Sequence, residues 1–206
     1  ENAYDASIAV AFALAVVLPR AGNIGGGGFM VMFDEASNKT YSIDYREIAP
    51  ELATKDMFLA TDGTVDKKRA TQGILSIGVP GTVYGMWEVH QKFGSLPWSQ
   101  LLAPAIKLAE DGFLISPFMA DALNKRYNKL SSYDNFKRIF YAEYPVQMKQ
   151  LLKQKNLAKT LKAISSNGVK GFYEGSVAGN IDSYMKKNGG LITKKDLKNY
   201  RPVWRD

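Results

Sequence analysis

No cysteine occurs among the 206 residues, so disulfides and thiolate metal ligands are excluded. Histidine occurs once, as His90. One histidine without cysteine cannot assemble the usual zinc sets. A serine triad would have to recruit that same residue, in a chain with no Gly-x-Ser-x-Gly elbow. His90 is therefore read as a surface or half-buried structural residue, and no cofactor or metal is expected. Long apolar runs are missing as well. The longest, around Ile8–Leu18, falls well short of the ~18 residues that span a bilayer, so no membrane span is expected. Internal repeats and low-complexity tracts are absent. What is present, 46% apolar and 12% aromatic residues, is the make-up of a globular protein with a sizeable core.

Charge is plentiful but uneven. Residues 1–120 carry 9 basic and 13 acidic side chains, net −4, whereas residues 121–206 carry 18 and 7, net +11. A basic half invites a nucleic-acid reading. Its lysines, however, are spread at helical spacing through Lys149–Lys162 and Lys186–Lys198, with no recognition motif and no interleaved stacking aromatics. A solvated lysine-rich face is the expectation, with no nucleic-acid partner; steering of acidic peptides or polyglutamate is the other reading of those charges.

The chemistry concentrates in Ala21–Pro50, AGNIGGGGFMVMFDEASNKTYSIDYREIAP. Phe29–Phe33 is continuously apolar, the pattern of a strand buried on both faces. Thr40–Tyr45 alternates β-branched and aromatic residues with Ser42 and Asp44, the pattern of a strand with one wetter face. The Asp-, Ser- and Asn-rich turn between them completes a hairpin. Four consecutive glycines, Gly25–Gly28, precede it. A dinucleotide fingerprint needs glycines at i, i+2 and i+5 between a strand and a helix. The spacing here differs and the order is helix, loop, strand; no Gly-Lys-Ser/Thr follows. The glycines are read instead as close backbone packing beside a site, with direct contact to a ligand as the alternative. Arg46 follows the second strand, where a rigid element hands over to a loop and binding groups are displayed. Pairing of Arg46 with Glu47, Asp44 or Asp34 is the bland alternative.

GNIGGGGFMVMF followed by DYREIAP resembles the γ-glutamyltransferase (γ-glutamyltranspeptidase) family of N-terminal-nucleophile hydrolases. So do AYDASIAVAFALAVVLPRAGN, GVPGTVYGMWEVHQKFG, LLAPAIKLAEDGF and GFYEGSVAGNIDSYMKKNGGLITKKDLKNY, in order and over nearly the whole chain except about 124–152. The resemblance implies an α+β chain that is part of an αββα sandwich, helix-rich with a central hairpin. It implies one precursor that cuts itself into a large and a small chain, the threonine heading the small chain attacking the γ-glutamyl amide of glutathione-like substrates. The acyl group then passes to water or to an amine. That nucleophile is not in this chain, which is expected to be a piece of the large chain, inactive alone, with the small chain as partner. The one matching substrate-binding position is Arg46, which would grip the glutamyl α-carboxylate. A planar carboxylate suits the rigid donor fork of arginine. Periplasmic or extracellular location is expected, any signal segment preceding Glu1. A related acylase or polyglutamate depolymerase, and a non-catalytic basic helical binding module, are the rival functions.

Residues 1–206 are expected to form one domain, with 1–50 supplying a core helix, the glycine loop and the hairpin, and 51–206 mostly helical. Ala3–Leu18 reads as a fully buried helix ended by Pro19. Thr54 is placed as an N-cap before Lys55–Phe58, and Thr82 as the cap of a helix Val83–Phe93 that Gly94 ends. Further helices are expected over Leu96–Glu110, from Ser116 or Pro117 to about Leu130, over Met148–Ser165, over Phe172–Lys187, and over Lys194–Tyr200 capped by Thr193. Ser131–Pro145 reads as an irregular surface lobe.

Overall fold

A computed structural model describes residues 2–205. The elements run α1 (Ala3–Val17), β1 (Phe29–Asp34), β2 (Lys39–Asp44) and α2 (Lys67–Thr71), then a 3₁₀ turn at Ile74–Ser76. Next come α3 (Thr82–Phe93), α4 (Trp98–Asp111), β3 (Phe113–Leu114), α5 (Pro117–Asn124), α6 (Tyr127–Leu130) and α7 (Asp134–Phe140). The chain finishes with β4 (Leu151–Leu152), α8 (Lys155–Asn167), α9 (Lys170–Tyr173), α10 (Gly175–Asn188), α11 (Lys194–Asn199) and β5 (Val203–Arg205). The class is α+β, as expected.

The chain divides into two compact units. The first comprises Glu1–Asp5, Ile24–Ser95 and Ala163–Asp206; the second comprises Ala6–Asn23 and Leu96–Lys162.

In the first unit a three-stranded sheet has the order β1-β2-β5. The hairpin register pairs Phe29 with Asp44 and Asp34 with Lys39. Asn38 takes the left-handed turn conformation at φ 53°, which asparagine tolerates. The Asp34 carboxylate accepts from Ser37 N–H at 3.1 Å and Ser37 Oγ at 2.5 Å, the local bonding expected of such a turn. β1 departs from its expected burial. It is an edge strand, with Met32 buried but Phe29, Val31 and Phe33 exposed, Val31 by 72%. Its apolar side chains are all there, yet one face has no cover within the unit. β5 pairs antiparallel to β2, Ile43 opposite Trp204. Three residues are too few for a period-2 signal to announce them. Behind the sheet, α3 buries Val83, Met86 and Val89, and the first unit's core continues through Phe172, Tyr173, Met185, Leu197 and Tyr200.

Caps followed local chemistry in some places and not in others. Thr193 accepts from Asp196 N–H, and the Asp196 carboxylate accepts from Thr193 N–H at 2.8 Å, a complete capping box. Asp196 also accepts from Glu51 N–H at 2.8 Å. Thr193→Ala removes one side of the box and is expected to cost about 1 kcal/mol. A urea titration of the full-length protein reads this; an unmoved midpoint would show that the box is idle. Thr82, by contrast, does not cap α3. It is the first residue of that helix, and Gly81 stands at the cap without a side chain to offer. Thr54 caps no helix either. Residues 51–66 fold into turns held by Ala60 N–H to Thr64 O at 2.8 Å and Asp66 N–H to Phe58 O at 2.8 Å, and Asp66 caps α2. The expected helix over Phe172–Lys187 is broken into α9 and α10 at Gly175, φ 63°.

In the second unit, α1 buries Ile8, Phe12, Ala15 and Val16. These recur at helical spacing, and each large apolar side chain so placed contributes roughly 1.5–3 kcal/mol. Phe12 meets Trp98 edge-on, ring centroids 5.5 Å apart. The helix is not fully buried as expected: Ser7, Val10 and Leu14 form an exposed stripe, Val10 by 55%. Pro19 lies two residues past its end, as the missing donor requires. α4 buries Leu101, Leu102, Ala105 and Ala109 and ends at Gly112, φ 94°. Ser116 caps α5 by accepting from Met119 N–H, but the helix stops at Asn124 and resumes as α6. Residues 131–145 are not an irregular lobe. They contain α7, and Tyr141 and Val146 join a core with Ile115, Leu123 and Leu152. The helix expected from Met148 begins only at Lys155, because Leu151–Leu152 leave the helical pattern to pair with Phe113–Leu114 as β4.

Candidate functional site

Arg46 lies two residues past β2, in the first unit. Three stretches of main chain are laced together around it. Tyr45 N–H donates to Gly28 O at 2.9 Å and Gly28 N–H to Tyr45 O at 3.3 Å. Gly81 N–H and Thr82 N–H both donate to Gly26 O, at 2.7 and 3.0 Å. Ile48 and Val79 exchange main-chain bonds at 2.8 and 3.3 Å. The glycine run, the Tyr45–Ile48 segment and the turn before α3 thus brace one another.

This explains two of the four glycines in the run. A Cβ on Gly27 would collide with the Tyr45 carbonyl oxygen and come within 2.8 Å of Arg46 Cα and Glu47 N. A Cβ on Gly28 would lie 3.1 Å from the Tyr45 ring. Gly25 is different, with nothing within 4 Å. The close-packing reading therefore applies at Gly27 and Gly28 and not at Gly25.

The Arg46 main chain is fixed at both ends. Its N–H donates to Asp44 Oδ1 at 3.0 Å, and its carbonyl accepts from the Tyr200 hydroxyl at 2.9 Å. Tyr200 in turn stacks on Tyr173, ring centroids 5.8 Å apart and nearly parallel. The Tyr173 hydroxyl donates to Pro80 O at 2.9 Å. Burial raises the pKa of both phenols, with Asp44 and Glu47 adding to the rise at Tyr200. Both therefore remain hydrogen-bond donors at physiological pH. Tyr200→Phe deletes the bond to the Arg46 carbonyl and nothing of the stack. The expected loss is about 1 kcal/mol, measured as a urea midpoint in the full-length protein. An unchanged midpoint would mean that this hydroxyl does not hold the loop.

The Arg46 side chain is exposed. Its guanidinium carbon stands 5.6 Å from the centre of the Phe29 ring, a weak cation–π contact. Among the described residues no carboxylate pairs with it. Asp44, the nearest in sequence on the strand, is taken by Arg205, with Nη2 at 2.6 Å and Nε at 3.0 Å from Oδ2. That bond, joined by the Arg46 N–H, holds the Asp44 pKa below the ordinary carboxylate range. The bland alternative of an Arg46 ion pair with Glu47, Asp44 or Asp34 is therefore not what forms. A planar cationic fork is left facing solvent on a stiffened loop, suited to a free carboxylate.

His90, on α3, is half-buried, and Gln91 Nε2 lies 3.2 Å from its Nδ1. Arg205, Tyr200 and Gly81 were not singled out by sequence reasoning, and Asp44 only as a possible partner for Arg46. The Asp44–Arg205 pair spans 161 residues, and no local pattern reports a contact of that range. Among the described residues no helix is long and apolar enough to cross a membrane.

The sequence profile of the family described as Gamma-glutamyltranspeptidase matches residues 1–206. The chain is 46% identical over 207 residues to the glutathione hydrolase proenzyme of Escherichia coli, an alignment covering 99% of this chain and 35% of that protein. The γ-glutamyltranspeptidase structure from Helicobacter pylori superposes with a TM-score of 0.96 at 48% identity, over 100% of this chain and 59% of that one. That from Pseudomonas nitroreducens, complexed with L-DON, gives 0.92 at 44% identity, over 99% and 59%. The chain spans about a third of the length of the curated relatives it matches.

Proposed function

Because the chain belongs to the γ-glutamyltranspeptidase family, we propose that its parent protein transfers or hydrolyses the γ-glutamyl group of glutathione-like amides, with Arg46 holding the α-carboxylate. The observation that carries this is the Arg46 guanidinium, which pairs with no carboxylate among the described residues, on a loop braced from three sides. A charge-assisted bidentate pair there fixes one end of the substrate. The γ-carbonyl is then left free for a threonine hydroxyl outside this chain. The hydroxyl adds to the amide carbon, the amine leaves with a proton, and the resulting ester is opened by water or a second amine.

The Escherichia coli relative is named as a proenzyme. We read this chain as part of the large chain of such a precursor, with the small chain as partner and with location outside the cytoplasm. The exposed apolar side chains of β1, Phe29, Val31 and Phe33, offer a surface for that partner, since patches of this kind are normally covered.

The test is release of p-nitroaniline from L-γ-glutamyl-p-nitroanilide by the full-length protein. Saturable release that grows with precursor cleavage is expected. Absence of release from fully cleaved protein overturns the reading. Binding of acidic peptides regardless of cleavage would instead favour the basic binding module.

A further inference from the structure

The second unit contains a cavity of about 390 Å³ that none of the chemistry above uses. It lies between the end of α1 and the α5–α7 segment. Leu18, Met119, Leu123, Leu130 and Phe136 give it an apolar lining. Two guanidiniums complete the lining, from Arg20 and Arg126, both exposed residues and therefore at the rim.

Among the described residues neither arginine meets a carboxylate. Arg20 is laid over the Phe118 ring, 5.2 Å from its centre. Arg126 Nη1 makes only a long contact of 3.4 Å to Ala122 O. Asp121, the acid on α5, is taken by Lys125 at 2.8 Å. Apolar walls with a few placed polar groups are what small-molecule sites consist of, and the volume falls in their usual range. At the roughly 30 Å³ that a water molecule occupies in the liquid, the space takes about a dozen non-hydrogen atoms.

We propose that this cavity binds a small amphipathic carboxylate, its apolar body inside and its anionic head between Arg20 and Arg126. An inorganic anion would satisfy the rim and leave the apolar interior unfilled. A neutral chain would fill the interior and leave both guanidiniums unused. A single planar anionic head on a chain of eight to twelve atoms uses both. The inference is independent of the γ-glutamyl reading, since it draws on no residue of the Arg46 site.

Octanoate is the probe, titrated calorimetrically into the full-length protein beside octylammonium, 1-octanol and inorganic phosphate. One saturable octanoate site is expected, with octylammonium at least about tenfold weaker. The double variant Arg20→Gln/Arg126→Gln is expected to lose about tenfold in octanoate affinity while binding octanol unchanged. Ala122→Phe, which fills the cavity, is expected to abolish both. The Gln pair changes only exposed side chains, so its thermal melting should match the unaltered protein and keep the test readable if Ala122→Phe misfolds. Absence of saturable octanoate binding overturns the proposal. So do equal affinity for octylammonium, indifference to the arginine pair, or displacement of octanoate by phosphate.

Discussion

Arg46→Lys in the full-length protein is expected to raise KM for a γ-glutamyl anilide by about ten- to a hundredfold, with thermal stability nearly unchanged. The two halves of that expectation come from different atoms. The fold is served by the Arg46 main chain, through the bonds to Asp44 and Tyr200, and lysine keeps both. The side chain contributes only the exposed contact with Phe29, so the stability cost stays near the ±0.5 kcal/mol of ordinary surface changes. The carboxylate, by contrast, loses a two-pronged donor and gains a point charge on a flexible stem. A hydrogen bond to a charged group is worth about 1.5–3 kcal/mol, which sets the range at roughly 1.4 kcal/mol per decade. The bond is made remotely from the scissile amide, so it is present in the ground state and in the transition state alike. The loss therefore falls on KM more than on kcat. Arg46→Gln, which removes the charge as well, should exceed the lysine effect. An unchanged KM in either variant would remove Arg46 from the site.

What the sequence disclosed and what it hid divide along the range of the interactions. Turn and cap chemistry that acts within a few residues was readable: the Asp34–Lys39 turn, the stop at Gly94 and the Thr193 cap all form. Where a distant partner competes, the local signal lost. The apolar spacing from Met148 continues a helical pattern, yet Leu151–Leu152 bond to Phe113–Leu114. Thr82 has the chemistry of a cap, yet its N–H is drawn to Gly26 O. Burial was misjudged for a related reason. The pattern of β1 and α1 reports how apolar a face is, and the faces carrying Val31 and Val10 are apolar without cover within their own units. At the site, the residues alone left Arg46 free to pair with a neighbouring acid. The contact that closes off Asp44 comes from Arg205, and β5 had no signal to place it there.

Gly27→Ala should damage the same site from the opposite direction, by moving the loop instead of altering its side chain. The added methyl meets the Tyr45 carbonyl oxygen, Arg46 Cα and Glu47 N, all of them main-chain atoms. A side chain could swing aside; a strand end bonded to Gly28, Asp44 and Tyr200 cannot do so without breaking those bonds. Overpacking of this kind costs about 1–3 kcal/mol and more where the backbone must shift, so a loss of about 3 kcal/mol is expected. Whatever folded protein remains should bind γ-glutamyl anilide more weakly, because Arg46 Cα itself is displaced. Gly25→Ala is the matched control. It adds the same methyl two residues earlier, where nothing lies within 4 Å and the backbone is not left-handed. There the smaller conformational freedom of the unfolded chain should leave stability unchanged or raise it by about 0.4–1 kcal/mol. Melting curves and KM for the two variants of the full-length protein decide the matter. If both alanines fall together, the glycine run acts through flexibility rather than through close approach. If neither does, the loop is not held by the contacts described for Gly27.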